Sequence, residues 1–224
     1  MDLRRTGTRR PSRARPSPPC TPLRYALASL LALVSLTSLA CDRRIDIDSF
    51  GRVPNFALTT HTGESFTQNE LRTKVSIINF IFTSCQQTCP LLTKKMAGIQ
   101  KAVQRQQTQI QLLSITVDPS NDTPDALAAY ATAHDVRDSN WKFLTGDAAE
   151  VKRVVVQSFH QGMAEDPTHP ENILHGSHFV LVDKHGTIRG FYPSEPNDDK
   201  DIHQIEGMVK LVEDALLLVM KDPR

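Results

Sequence analysis

The stretch Val75–Met96, VSIINFIFTSCQQTCPLLTKKM, decides how the rest of the chain is read. Its first half, Val75 to Phe82, is a nearly unbroken run of β-branched and aromatic side chains. Such a run suits a central strand covered on both faces. From Leu92 onward the apolar residues Met96, Ile99 and Val103 recur at helical spacing, with Lys94, Lys95 and Lys101 between them. Cys85 and Cys89 fall where the strand gives way to the helix, with Gln86, Gln87 and Thr88 between them.

The same alternation continues downstream. Ile110 to Asp118, IQLLSITVD, reads as a second buried strand, and NDTPDALAAYATAH follows, in which Asp122 or Thr123 can cap a helix with Pro124 in its first turn. AAEVKRVVVQSF places Val151, Val154 and Val155 on one face, and FHQGMAEDPTHPENILH reads as a long loop holding His160, Met163 and His169. HFVLVDKHGTIRGFY reads as two strands joined by a turn at Lys184, His185 and Gly186. Ile205, Met208, Val209, Val212 and Leu216 make a closing amphipathic helix. Strand, helix, strand, helix, then a hairpin and a helix is an α/β order with a central sheet flanked by helices. It is the order of the thioredoxin fold, which keeps its cysteines at the first strand-to-helix junction.

The chain has 224 residues, 39% of them hydrophobic, which allows one well-packed domain plus extras. Its formal charge of +1 hides an asymmetry. Arg4, Arg5, Arg9, Arg10, Arg13, Arg15 and Arg24 all precede the uncharged run Tyr25–Ala40, and without them the remainder is mildly acidic. A nucleic-acid binder is therefore not indicated. Arginines, a short apolar run and small residues before Cys41 follow the plan of a secretory signal. SLTSLAC is similar to a bacterial lipobox, with Ser38 where leucine is usual, so Cys41 is a candidate lipidation site and an uncleaved anchor is the alternative. Both put the domain outside the cytoplasm, on the periplasmic side of a bacterial membrane. The expected organisation is a basic N-region with signal or anchor over 1–41, a linker over 42–52 and a folded domain over 53–220.

Of the four cysteines, Cys20 and Cys41 belong to the targeting region, leaving Cys85 and Cys89 to the domain. So small a loop gains little from a staple. Redox enzymes of this fold typically separate their cysteines by two residues, whereas positions i and i+4 let both sulfurs face one small object. Two thiolates suit a soft ion, cuprous copper above all, with zinc or a thiol-exchange site as alternatives. A third donor would decide. His175, just ahead of the third core strand, stands where such enzymes bring a loop against the cysteines. His178 is the competitor, and strand alternation would send the two to opposite faces. Asp118, at the end of the neighbouring strand, is a candidate to tune the sulfurs from outside the ligand set.

The chain resembles the Sco (SenC) family of copper chaperones over roughly Val53 to Leu218. The resemblance rests on VSIINFIFTSCQQTCP, SITVDPSNDTP, NWKFLTGD and His175 placed eight residues before Asp183 of LVDKHG. DKHG departs from the acidic or proline-containing turn usual there. The resemblance implies a thioredoxin-like fold, copper as the bound ion, and Cys85, Cys89 and His175 as its ligands. It further implies delivery to the copper A centre of a cytochrome c oxidase subunit, from a copper donor left unspecified, with Cys85 and Cys89 able to form a redox disulfide. The rival activity is an extracytoplasmic thiol-disulfide oxidoreductase that keeps the acceptor's cysteines reduced.

Overall fold

The structure is a computed structural model that describes residues 47–86, 88–105, 109–136, 140–165, 173–175, 177–194 and 202–222. Side chains are described for all of these except residues 105, 164–165, 173–175 and 202–205. The expected signal or anchor over 1–41, with Cys41, lies outside the described residues, as does His169. Residues Asp46–Arg224 form one compact unit.

The opening stretch becomes strand β3, Val75–Ile81, with every residue buried. That burial follows from its place in the sheet. On one side β3 pairs in parallel with β4, Ile110–Thr116, in a register that sets Ile77 opposite Leu112 and Ile81 opposite Thr116. On the other side it pairs antiparallel with β8, His178–Val182. β4 in turn pairs in parallel with β5, Trp141–Thr145, and β8 forms the expected hairpin with β9, Ile188–Pro193. A further hairpin of β1, Ala57–Thr60, and β2, Ser65–Thr67, completes a seven-stranded mixed sheet of order β2-β1-β5-β4-β3-β8-β9. Gly63, at φ 84° in the β1–β2 turn, adopts the left-handed backbone that glycine tolerates best.

Among the described residues five α-helices accompany this sheet. Thr67 and Glu70 close a capping box on α1, Gln68–Leu71. α2, Thr88–Arg105, buries Leu92, Met96, Ile99 and Val103, the stripe expected from spacing. α3, Pro124–Ala133, is capped by Thr123, whose Oγ1 accepts the Ala126 N–H at 3.3 Å. α4, Ala148–Lys152, passes directly into a π-helix over Arg153–Ser158. Val151, Val154 and Val155 do share a buried face, and the wider turn leaves Val156 37% exposed while Phe159 packs on Phe80 with ring centroids 5.8 Å apart. α5, Ile202–Lys221, packs the expected Met208, Val212 and Leu216 against the core. Leu211, Ala215 and Leu218 enter the core, whereas Val209 is 50% exposed. Tyr192, whose buried hydroxyl donates to Asp214 at 2.6 Å, ties β9 to α5.

Two sequence expectations change around His175. The segment expected as a long loop carries a ribbon of its own, β6, Met163–Glu165, paired antiparallel with β7, Ile173–His175, with Met163 opposite His175. His175 therefore ends a separate two-stranded ribbon, and β8 begins afresh at His178. The alternation rule cannot compare two residues on different strands, so the expected opposition of His175 and His178 loses its footing.

Candidate metal centre

β3 delivers the chain to the site. Ile81 is its last residue, its carbonyl accepts the Val117 N–H at 2.9 Å, and the next residues, Phe82 to Gln86, turn the chain onto α2. Cys85 lies in this turn with its N–H donated to the Phe82 carbonyl at 3.3 Å. Cys89 is the second residue of α2 and fully buried, whereas Cys85 is half-buried. The Cys89 N–H donates to the Cys85 sulfur at 3.4 Å. A sulfur so placed receives an amide from the helix start together with the positive end of the helix dipole, both of which favour thiolate. Pro90 follows and has no N–H to offer there.

The two thiols are consequently unlike. The Cys89 thiol is pushed far up, first by its hydrogen bond to Cys85 and next by burial, with the Phe82 main chain pulling the other way. Loss of the Cys89 proton is thus resisted by the neighbouring sulfur and by burial. A soft cation in place of that proton lifts the penalty, because its charge satisfies both sulfurs at once.

The surroundings are polar and enclosed. Asp122 is buried, and its carboxylate accepts the Thr83 N–H at 3.2 Å, the Thr83 Oγ1 hydroxyl at 2.5 Å and the Thr116 Oγ1 hydroxyl at 2.5 Å. Burial pushes its carboxyl up from the ordinary value while those donors pull it down, and its charge reaches Cys89. Tyr130, on α3, shares a hydrogen bond of 2.9 Å with buried Thr93 of α2. Its phenol is pushed up to about 12, mainly by burial, with both cysteines and Asp122 contributing. Asp122, Tyr130 and Thr93 had no place in the sequence-derived site. Asp118, which did, uses its carboxylate to accept the Asn121 side-chain amide at 2.8 Å and its carbonyl to close the turn, accepting the Asp122 N–H at 2.9 Å. Its nearest electrostatic effect in the site is on Asp122, which it pushes up.

Among the described residues no three His, Cys, Asp or Glu groups gather around one point. Cys85 and Cys89 come together as expected, and the third expected donor, His175, is placed by its backbone in β7 while its side chain lies outside the described ones. The chemistry of the donors present fits a soft metal ion, since two sulfurs of a four-residue spacing lie side by side at a helix start.

A sheet of this order with paired cysteines at the β3–α2 junction defines a thioredoxin-like protein, and the comparisons with known proteins narrow the class. The SCO1/SenC family profile matches residues 48–210, and the chain belongs to that family. The SCO2-like protein of Rickettsia typhi is 32% identical over 182 residues, covering 76% of this chain and 86% of the relative. Among solved structures, BsSco, described as having a disulfide switch and as a member of the Sco family of cytochrome c oxidase assembly proteins, superposes with a TM-score of 0.66. The identity is 25%, covering 78% of this chain and 98% of that one. Yeast Sco1 with copper bound gives a TM-score of 0.58 at 27% identity, covering 74% and 88%. The thioredoxin-like fold expected from the element order is thereby found, and so is the Sco family.

Proposed function

We propose that this chain is a copper chaperone that holds a single copper ion between Cys85, Cys89 and His175 and passes it to the copper A centre of a cytochrome c oxidase subunit. The observation that carries the reading is the sulfur pair itself. Cys89 donates its amide to the Cys85 sulfur at 3.4 Å at the start of an 18-residue helix, so both sulfurs are presented together. Copper bound to yeast Sco1 supports the choice of ion, and the neutral imidazole of His175 would complete a three-donor set of the kind cuprous ion accepts. Copper is cargo here. Exchange of ligands with an acceptor's cysteines, one at a time, lets it move without unfolding the domain. Asp118 acts one step further out, through its effect on Asp122. A lipid on Cys41, or an uncleaved N-terminal anchor, would hold the domain on the periplasmic side of a bacterial membrane, close to its acceptor.

A second reading, thiol-disulfide exchange that keeps acceptor cysteines reduced, is favoured by the disulfide switch of BsSco. Oxidation of Cys85 and Cys89 to a disulfide takes away two protons, two electrons and both sulfur donors, so the redox state governs copper binding. Anaerobic titration of the reduced protein with Cu(I), on wild type and His175→Ala, tests the choice. The chaperone reading expects one copper per chain, weakened in the variant while exchange with a small disulfide persists. Undiminished copper binding in His175→Ala removes that histidine from the site and leaves exchange as the better account.

A further inference from the structure

The turn that carries Cys85 is gripped at Thr83, a residue that is not a metal donor. Asp122 reaches it from the far side of the β4–α3 connection, taking the Thr83 N–H and the Thr83 hydroxyl on its carboxylate. The remaining contact comes from the Thr116 hydroxyl at 2.5 Å. Thr116 Oγ1 itself accepts the Asp118 N–H at 2.9 Å, which directs its proton towards Asp122. Each of these groups donates to the carboxylate, so Asp122 serves as acceptor throughout. Helix capping does not explain the residue, because Thr123 caps α3. Nor does stability by itself, since a buried carboxylate is costly to desolvate and an apolar side chain of similar size would often serve the core as well.

We infer that Asp122, acting through Thr83, is a positioning residue for the metal-binding thiols, fixing the turn so that the Cys85 sulfur stays against Cys89 while copper is held. The inference rests on the copper reading of this site and deepens it. Cys89 is anchored by α2, but Cys85 sits in a turn whose place depends on what grips it. Releasing the grip lets the Cys85 sulfur drift from its partner, so copper is held by fewer donors at a time and leaves sooner.

The test uses the full-length protein with Thr83→Val, which removes the hydroxyl and keeps the backbone N–H, and Thr83→Ser, which restores a hydroxyl. In the metal-free protein, Thr83→Val is expected to speed amide exchange at Cys85 and Cys89 about fivefold, with the central sheet unaffected. After Cu(I) loading, release to a competing chelator is expected to accelerate about tenfold, the usual scale for groups that orient metal ligands. Thr83→Ser returns both to the wild-type rate. Rates in Thr83→Val within about twofold of wild type, or a Thr83→Ser variant that restores neither, overturn the inference whatever the thermal midpoint does. Asp122→Ala should reproduce and exceed the effect. If that variant does not fold, Thr83→Val decides, because it leaves the carboxylate two of its donors. A wild-type chain that retains no Cu(I) overturns the copper reading, while the amide-exchange arm still upholds or overturns the grip on the turn.

Discussion

The cysteine turn and the β6–β7 ribbon are held in opposite ways. The turn joins a fully buried central strand to a long helix and is tied across to β4 and α3 by Asp122. The ribbon consists of two three-residue strands that pair with each other and with no strand of the seven-stranded sheet, with Met163 packed against the core. Donors that must bind two sulfurs to one ion gain from a rigid frame, whereas a donor that must let go during transfer gains from a frame that moves at little cost. If the proposed ligand set is right, the grip and the release of copper are assigned to different parts of the fold.

The largest expected effect is at the rigid end. Cys85→Ser or Cys89→Ser replaces a soft sulfur by a hard, poorly ionised hydroxyl and should weaken Cu(I) binding by about a thousandfold or more, about 4 kcal/mol, in competition with a chelator. Equal affinity in either variant would take that cysteine out of the set. The next concerns the frame itself. Phe80→Ala, in the buried centre of β3 beside Phe159, should lower the unfolding free energy by about 3 kcal/mol or more. Replacing the segment between Met163 and His175 with a short Gly/Ser loop should cost less than about 1 kcal/mol, because loop length changes closure entropy slowly. Urea titrations of the two variants that gave equal losses would erase the contrast between the regions.

A third effect is smaller again. His175→Ala should weaken copper binding by about ten to a hundredfold without moving the thermal midpoint, as expected of a donor on a marginal element. The smallest concerns a residue outside the proposed ligand set, His61. Its Nδ1 accepts the Phe143 N–H at 3.2 Å, and burial holds its pKa below the ordinary 6.5. The unfolded chain therefore binds this proton more readily than the folded one. Stability should decline as pH falls through 6.5 towards the lowered folded value, and His61→Gln should flatten that slope in thermal melts between pH 7 and 5.

Much of this could be read in advance, and the reasons differ by element. β3, β4 and the β8–β9 hairpin announced themselves through dense β-branched runs, and the cysteines through their place at the first junction. The β1–β2 hairpin did not, because ALTT and SFT are short and polar, and their pairing depends on a turn around Gly63. β5, WKFLT, carries no clear strand signal of its own, since five residues hold too little periodicity. In the site, Asp122 and Thr123 were equally good caps on paper. Thr83, thirty-nine positions away, and Thr116 draw Asp122 inward, so Thr123 is left to cap α3. A contact that distant leaves no local pattern. On α5 the buried Leu211, Ala215 and Leu218 widen the legible stripe of Met208, Val212 and Leu216, and the contact of Asp214 with Tyr192 likewise comes from a distant strand.

Pro90 carries one more consequence. A helix start is ordinarily a place where phosphate, sulfate or a free carboxylate collects, drawn by several unpaired amides that point outward together. At the start of α2 the proline supplies no amide and the one from Cys89 is taken up by sulfur. The junction thus offers a hard oxyanion two fewer amides and turns one of them to a sulfur-borne charge.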